Sequence, residues 1–323
     1  MNDDKIFADP LKVKDVGDCY FYHMVELPGD GVINGDWDLC RGVDDYRGKA
    51  LFADKRVLEI GPASGFLTFE MEKRGAEVVS VEVTAEHGWD FVPYPAKRLE
   101  EVFGRRRIVM QQLNNSYSFS HAVLQSQARV YYGDVYNLPA SLAQFDIAVM
   151  GSVLLHCHDP LGIVTQCAKM ARSLIITDMF HPDLEGAPIC RLAPTPQNFL
   201  WDTWWHFSTQ FFTQFLAVVR FDTSEVFTAS TASPRNAVYP FYCRRPKITH
   251  CGLTAELRNQ IAHQRFFFFQ LCYRHIDFRA AEIVYRKSLD DLPFAAAVAN
   301  RERRNQSGAT RSRASNTSIA TVS

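Results

Sequence analysis

The chain has 323 residues, 47% hydrophobic and 22% charged, and its 35 Lys and Arg against 36 Asp and Glu leave a formal net charge of -1. That is globular composition, which excludes a disordered or fibrous chain, and near-neutrality argues against a globally basic nucleic-acid binder, whose affinity rests on counterion release. No run approaches the ~18 consecutive apolar residues of a membrane span. The stretch MNDDKIFADPLKVKD lacks the basic-then-apolar layout of a signal peptide, so the expectation is a soluble, cytoplasmic protein with no membrane partner.

Residues 1–50 are rich in Gly, Asp and aromatics. Tyr20-Phe21-Tyr22-His23 leads into LPGDGVINGDWD, where Gly29-Asp30-Gly31 and Asn34-Gly35 are turn formers. This reads as a looped N-terminal lid or substrate segment with a short hairpin. From residue 51 the pattern changes. RVLEI (56–60) is a short apolar strand ending in GPASG, and TFEMEKRG (68–75) has helical spacing closed by Gly75. EVVSVEV (77–83), ARVYYGD (128–134), FDIAVMGS (145–152) and SLIITDM (173–179) are further strands, with helical stretches between or before them. Strands alternating with helices at this spacing predict βαβ units and a mainly parallel, doubly wound sheet.

After residue 180, HPDLEGAPICRLAPTP is Pro-rich and reads as a loop. WDTWWHFSTQFFTQFLAVVRF (201–221) reads as an amphipathic helix capped by Ser208, SEVFTAS (224–230) follows, and AVYPFYCRR (237–245) is the final strand. A helical extension is expected over 247–300. Its RFFFFQ run (265–270) puts phenylalanine on every side of the helix and predicts burial in a homodimer interface through 254–276 or against the sheet domain. Residues 301–323 hold five arginines and one acid, a formal +4 that leaves -5 for residues 1–300. Poor in large apolar side chains, this basic tail is expected to be disordered. The eight cysteines (Cys19, Cys40, Cys157, Cys167, Cys190, Cys243, Cys251, Cys272) are scattered without a CxxC pair, as reduced structural thiols would be.

The strongest chemical signal is Glu59-Ile60-Gly61-Pro62-Ala63-Ser64-Gly65 between a strand and a helix. Glycines there allow a tight turn and close backbone approach to a ligand, and the helix start offers free N–H donors. A dinucleotide fingerprint wants G-x-G-x-x-G, whereas the spacing here is G-x-x-x-G, a poor match.

LEIGPASGFLTFEMEKRGAEVVSVEV resembles motif I and the following acidic strand end of class I S-adenosylmethionine (SAM) methyltransferases. That family's E/D-x-G-x-G-x-G pattern is carried by Glu59, Gly61, Ala63 and Gly65, with Ala63 departing from the middle glycine. The resemblance covers roughly residues 20–246, with the catalytic domain bounded at 51–246, and implies a Rossmann-like seven-stranded sheet. It further implies that Gly61, Pro62, Ala63, Ser64 and Gly65 cradle the amino-acid part of SAM. Glu82 would accept hydrogen bonds from both ribose hydroxyls, a task suited to a carboxylate. By the same likeness Asp134 would take the adenine amino group and Val135 supply a backbone N–H. Gly151, Ser152 and Val153 would line the floor beneath the sulfonium. A narrower likeness, Phe21 to Gly42 (interrupted by Cys40) with DTWWHFS (202–208), is to a subgroup related to tRNA wobble-uridine (carboxy)methyltransferases, which use carboxy-SAM. In it the Tyr-His and Trp-Trp segments approach the substrate side.

Methyl transfer needs orientation above all, and a general base only for poorly acidic nucleophiles. His156, just after the fourth strand, is the first catalytic candidate, because strand exits in open α/β sheets face the ligand crevice; its alternative is a helix-entry residue beside Asp159-Pro160. His23 is the second, and His158 reads as a surface residue. Tyr22, Trp37, Trp204 and Trp205 are candidates for an aromatic substrate wall, and Arg191 for contact with an anionic substrate group. His156-Cys157-His158 would diverge as adjacent side chains on a helix, and no other clustered ligands appear in the sequence, so no metal is expected. The expected function is SAM-dependent methylation of a small-molecule or glycan/natural-product acceptor at oxygen. The alternatives are tRNA wobble-uridine modification, for which the tail would contact nucleic acid, and SAM binding without turnover.

Overall fold

A computed structural model of the chain describes residues 6–86, 90–221, 223–226, 229–230 and 237–244. The chain divides into two units, Met1–Lys247 and Ile248–Ser323, and every described residue belongs to the first. The helical extension, the dimer segment 254–276 and the basic tail therefore lie outside the described residues. Among the described residues no helix is long and apolar enough to cross a membrane.

The elements in order are β1 (Val25–Leu27), β2 (Gly31–Ile33), α1 (Val43–Tyr46), β3 (Arg56–Ile60), α2 (Phe66–Glu72), β4 (Glu77–Glu82), α3 (Ala96–Val123), β5 (Arg129–Tyr132), β6 (Phe145–Gly151), α4 (Pro160–Met170), β7 (Ala171–Met179), β8 (Cys190–Leu192), β9 (Trp205–Phe207), α5 (Thr209–Val218), β10 (Thr223–Val226), β11 (Ala229–Ser230) and β12 (Ala237–Arg244). The central sheet runs β10-β12-β7-β6-β3-β4-β5, with β11 paired to β12. Its five strands from β7 to β5 are parallel, while β12 is antiparallel to β7 and β10 is antiparallel to β12. The fold is a doubly wound, Rossmann-like α/β sheet.

Strand periodicity explains how that sheet is covered. In β3, Val57 points to one core cluster and Leu58 and Ile60 to the other; in β6, Ile147 and Val149 alternate in the same way with Ala148 and Met150. Both faces are buried, so these strands read as continuous apolar runs. One face packs Ile163 and Val164 of α4 and Phe212 and Leu216 of α5. The other packs Phe66 and Met71 of α2 with Val43 and Tyr46 of α1, so part of the 1–50 segment belongs to the core. Truncating a fully buried side chain such as Ile163 or Met150 to alanine costs about 2–5 kcal/mol.

The winding fixes where a ligand can sit. The chain leaves β3 outward through β4 and β5, then returns to the opposite side of β3 with β6 and β7. A crevice opens where the order reverses, at the carboxyl ends of β3 and β6.

The expected 201–221 helix is corrected to a strand followed by a shorter helix. Residues Trp205–Phe207 pair with Cys190–Leu192 as a hairpin, Arg191 opposite His206. Ser208 is extended (φ -83°, ψ 158°) and its Oγ accepts from Phe211 N at 3.1 Å, so α5 begins only at Thr209. Helical periodicity holds over 209–218, whereas the aromatic Trp-Trp-His-Phe run before it suits a strand.

Candidate functional site

The carboxyl ends of β3, β4 and β5 and the turn after β6 enclose a cavity of about 350 Å³. Ile60, Gly61, Glu82, Val83, Asp134, Val135, Val153 and His156 line it on the strand side, with Asp90, Phe91, Arg106, Trp201 and Asp202 across from them.

The first wall begins at the 61–65 turn, of which Gly61 lines the cavity while Pro62, Ala63, Ser64 and Gly65 lie off the lining. Gly61 (φ +70°) and Gly65 (φ +87°) need the left-handed region, and a Cβ on Gly65 would stand 2.5 Å from the Phe69 ring and 2.9 Å from that of Tyr117. Ala63, between them, is itself left-handed at φ +51°, at a cost of roughly 1–2 kcal/mol for an L-residue. Pro62 contributes its carbonyl to Gly65 N at 2.9 Å, and Ser64 is buried, its Oγ accepting from His23 N at 3.4 Å. Glu82 braces this turn: its carboxylate accepts from Ala63 N at 3.3 Å and from Val83 N at 2.8 Å. Burial pushes the Glu82 carboxyl up to about 7. Glu59 lies behind the wall rather than on it. It accepts from Thr68 Oγ1 and, at 3.1 Å, from Ser80 Oγ, tying β3 to α2 and β4, and burial also raises it to about 7.

The second wall follows β5. Asp134 caps the short turn Val135–Asn137 by accepting from Tyr136 N at 2.9 Å, and both Asp134 and Val135 line the cavity. Of the three residues expected at the floor, only Val153 lines the cavity. Gly151 packs toward Leu67 and Tyr46, and Ser152 Oγ meets Tyr46 Oη at 3.0 Å on the other face of the sheet.

His156 closes the turn Leu154–His156 after β6. Its Nδ1 stands 2.6 Å from the Asp202 carbonyl, which can only accept, so Nδ1 carries the proton and Nε2 keeps the lone pair. Desolvation of the ring lowers its pKa, opposed by the charge of Asp202. A neutral imidazole at a cavity wall with its basic nitrogen uncommitted is suited to take a proton.

His23 sits differently. Its Nδ1 is buried without a hydrogen-bond partner, its ring packs against Tyr22 and Phe66, and burial lowers its pKa to about 4. It lies behind the 61–65 turn, off the cavity lining. Tyr22 and Trp37 pack with it (ring centroids 6.5 Å apart), joined through the His23–Trp37 bridge, and they too are off the lining. Trp204 and Trp205 back the wall: their Nε1 atoms donate to the carbonyls of Asp90 (2.5 Å) and His158 (3.2 Å). Arg191 is corrected away from the site. Its guanidinium is held by Asp183 and reaches His206 Nδ1 at 3.2 Å on the β8–β9 hairpin. His158, read as a surface residue, is half exposed yet lines the cavity and is bound to Asp90.

Sequence reasoning missed Asp90, Phe91, Arg106, Trp201 and Asp202. Arg106 lies within the 28-residue helix α3, and the carboxylates of Asp202 and Glu82 partly offset the desolvation that lowers its pKa. No cluster of three or more His, Cys, Asp or Glu suited to a metal occurs among the described residues.

No family model matches the chain. Over 120 residues it is 26% identical to the ubiquinone biosynthesis O-methyltransferase of Aromatoleum aromaticum, a stretch that is 37% of this chain and 41% of that protein. The chain thus aligns with less than half the length of this curated relative. Among solved structures it is similar to magnesium protoporphyrin IX methyltransferase of Synechocystis with bound S-adenosylhomocysteine (SAH), at 15% identity and a TM-score of 0.43 over 63% of this chain and 80% of that one. It is also similar to the 1,6-didemethyltoxoflavin-N1-methyltransferase of Burkholderia thailandensis, at 16% identity and a TM-score of 0.41 over 64% and 77% of the two chains.

The chemistry of the lining residues suits a nucleoside ligand. A carboxylate at the end of β4, a second acid after β5 and a glycine turn at the end of β3 offer two acceptors for a vicinal diol, one for an exocyclic amine, and close backbone approach for a polar tail.

Proposed function

We propose that the protein is a SAM-dependent methyltransferase acting on a small-molecule hydroxyl. The observation that carries this reading is the convergence of Gly61, Glu82, Asp134 and a tautomer-fixed His156 on one cavity at the sheet's switch point. The 120-residue likeness to an O-methyltransferase supports the same reaction class.

In this reading Glu82 holds the ribose, Asp134 and Val135 the adenine, and the 61–65 turn the amino-acid end. SAM supplies an electrophilic methyl group on a sulfonium. With SAM bound, His156 Nε2 would take the acceptor's hydroxyl proton as that oxygen's lone pair displaced the sulfur, with its electron pair, from the methyl carbon. The hydrogen bond to Asp202 O holds the ring in its reactive tautomer and disperses the charge it gains. Val153, Phe91 and Trp201 keep water from the reacting atoms. His156 as a base favours oxygen as the acceptor atom, since a neutral hydroxyl is a weak nucleophile that gains from proton removal whereas a free amine does not need it.

The test is to incubate the purified protein with methyl-labelled SAM and panels of phenols, sugars, amines and tRNA, following label into product and SAH release. Label in a phenol or sugar, lost in His156→Gln, is the expected result. Transfer to amines or tRNA alone, or undiminished transfer by His156→Gln, would overturn the assignment of acceptor and base.

A further inference from the structure

We infer that Asp90 is a positioning residue that sets the orientation of His156; this rests on the reading of His156 as the base. Asp90 joins three separate stretches of the site. Its carboxylate accepts from the Tyr136 hydroxyl, immediately after Asp134 and Val135. It also accepts from His158 N at 3.1 Å and His158 Nδ1 at 2.9 Å, two residues beyond His156. Its backbone carbonyl accepts from Trp204 Nε1 at 2.5 Å, two residues beyond Asp202.

The consequence is geometric. His156 is aimed by one hydrogen bond, from its Nδ1 to the Asp202 carbonyl. That bond is only as well placed as the two backbones carrying its ends. Asp90 ties both: the 154–158 turn through His158 and the 202–204 stretch through Trp204. Trp204 N also donates to Leu155 O at 2.8 Å, and Trp205 Nε1 to His158 O at 3.2 Å, so the two stretches are cross-linked on both sides of the base. A carboxylate is suited to this junction because it presents two oxygens to three donors, where an amide would turn a donor toward one of them. Through Tyr136 the same carboxylate reaches the turn bearing Asp134 and Val135, so one residue sets the spacing between that wall and the base.

The experiment uses the full chain, labelled with 15N-histidine, and reads the His156 ring tautomer by long-range proton–nitrogen correlation without ligand, with His156→Gln identifying the signal. In parallel, calorimetric titration measures SAH affinity. In the wild type His156 is expected as a single Nδ1–H tautomer. In Asp90→Asn the ring signals should average between tautomers, and labelled-methyl transfer, once an acceptor is in hand, should fall roughly 10- to 100-fold, as expected for lost charge-assisted hydrogen bonds and a displaced base. SAH affinity should fall by less than turnover does, because Gly61 and Glu82 are untouched and only the wall tied through Tyr136 is loosened. Should Asp90→Asn fail to fold, Trp204→Phe and His158→Ala remove its donors singly and should each give part of the averaging. A His156 tautomer as fixed in Asp90→Asn, or in both of the other two variants, as in the wild type overturns the inference. Absence of SAH binding to the wild type instead overturns the cofactor reading, and the tautomer result still decides the role of Asp90.

Discussion

Two histidines mark two regions of this molecule that look alike by the usual criteria and differ in what they can do. His23 and His156 are both desolvated, and both have lowered pKa values. His23 belongs to the N-terminal segment and packs by its ring, with Nδ1 buried and unbonded. His156 belongs to a strand exit, lines the cavity and has one nitrogen fixed by a carbonyl, which decides what the other does. A perturbed pKa marks burial; direction and access make a base.

That contrast breaks most visibly under substitution. His156→Gln is expected to lower methyl transfer by roughly 10²–10⁴-fold, the usual range for a general base, with SAH affinity little changed. His23→Phe, which keeps the ring and removes the unbonded nitrogen, should leave transfer within about 3-fold and raise stability by about 1 kcal/mol, since a buried unsatisfied polar atom costs about 1–3 kcal/mol. If the two variants lose activity equally, the distinction between the regions fails.

The pH dependence of SAH binding comes next in size. Burial raises the Glu82 carboxyl from 4.5 to about 7. The carboxylate is the form that accepts from two hydroxyls, so affinity should be full above about pH 7 and weaken below it, by at most tenfold per unit; Glu82→Gln should flatten the profile. The same shift acts on stability with the opposite sense. The ligand-free fold holds a proton that the unfolded chain has released, so this contribution is full below about pH 4.5 and is lost as pH rises through about 7. Thermal unfolding of the wild type and Glu82→Gln across that range checks it.

A smaller effect sharpens the comparison at the turn that separates the two histidines. Ala63 holds φ +51°, a conformation that suits glycine. Ala63→Gly should raise stability by about 1 kcal/mol in denaturant unfolding, because relief of left-handed strain exceeds the entropy glycine adds to the unfolded chain.

How much of this was legible follows from the range of the interactions. β3 spans the residues its apolar run marked, Arg56–Ile60, and the glycine turn follows it directly, because strand, turn and helix start are all encoded locally. The cavity's far wall was not. Arg106 is brought in by the helix α3, whose buried positions include Asn114, Ser116, Ser118 and Ser120, so no apolar stripe announces its inward face. Asp90 gains its meaning only from Tyr136 and His158, dozens of residues away. Arg191 is a candidate for an anionic substrate group by residue type alone, and the long-range pairing of β8 with β9 turns it toward Asp183. Local spacing marks the glycine turn after β3 and the acids at the end of β4 and after β5, whereas the side chains opposite them come from distant segments and leave no local mark.

The central claim is that this cavity holds SAM through Glu82, and calorimetric titration of SAH into the wild type and Glu82→Ala tests it most directly. One SAH per chain is expected for the wild type, with an affinity loss of at least about tenfold in Glu82→Ala, the scale of hydrogen bonds to a charged group. No binding to the wild type, or equal affinity in the two proteins, would contradict it.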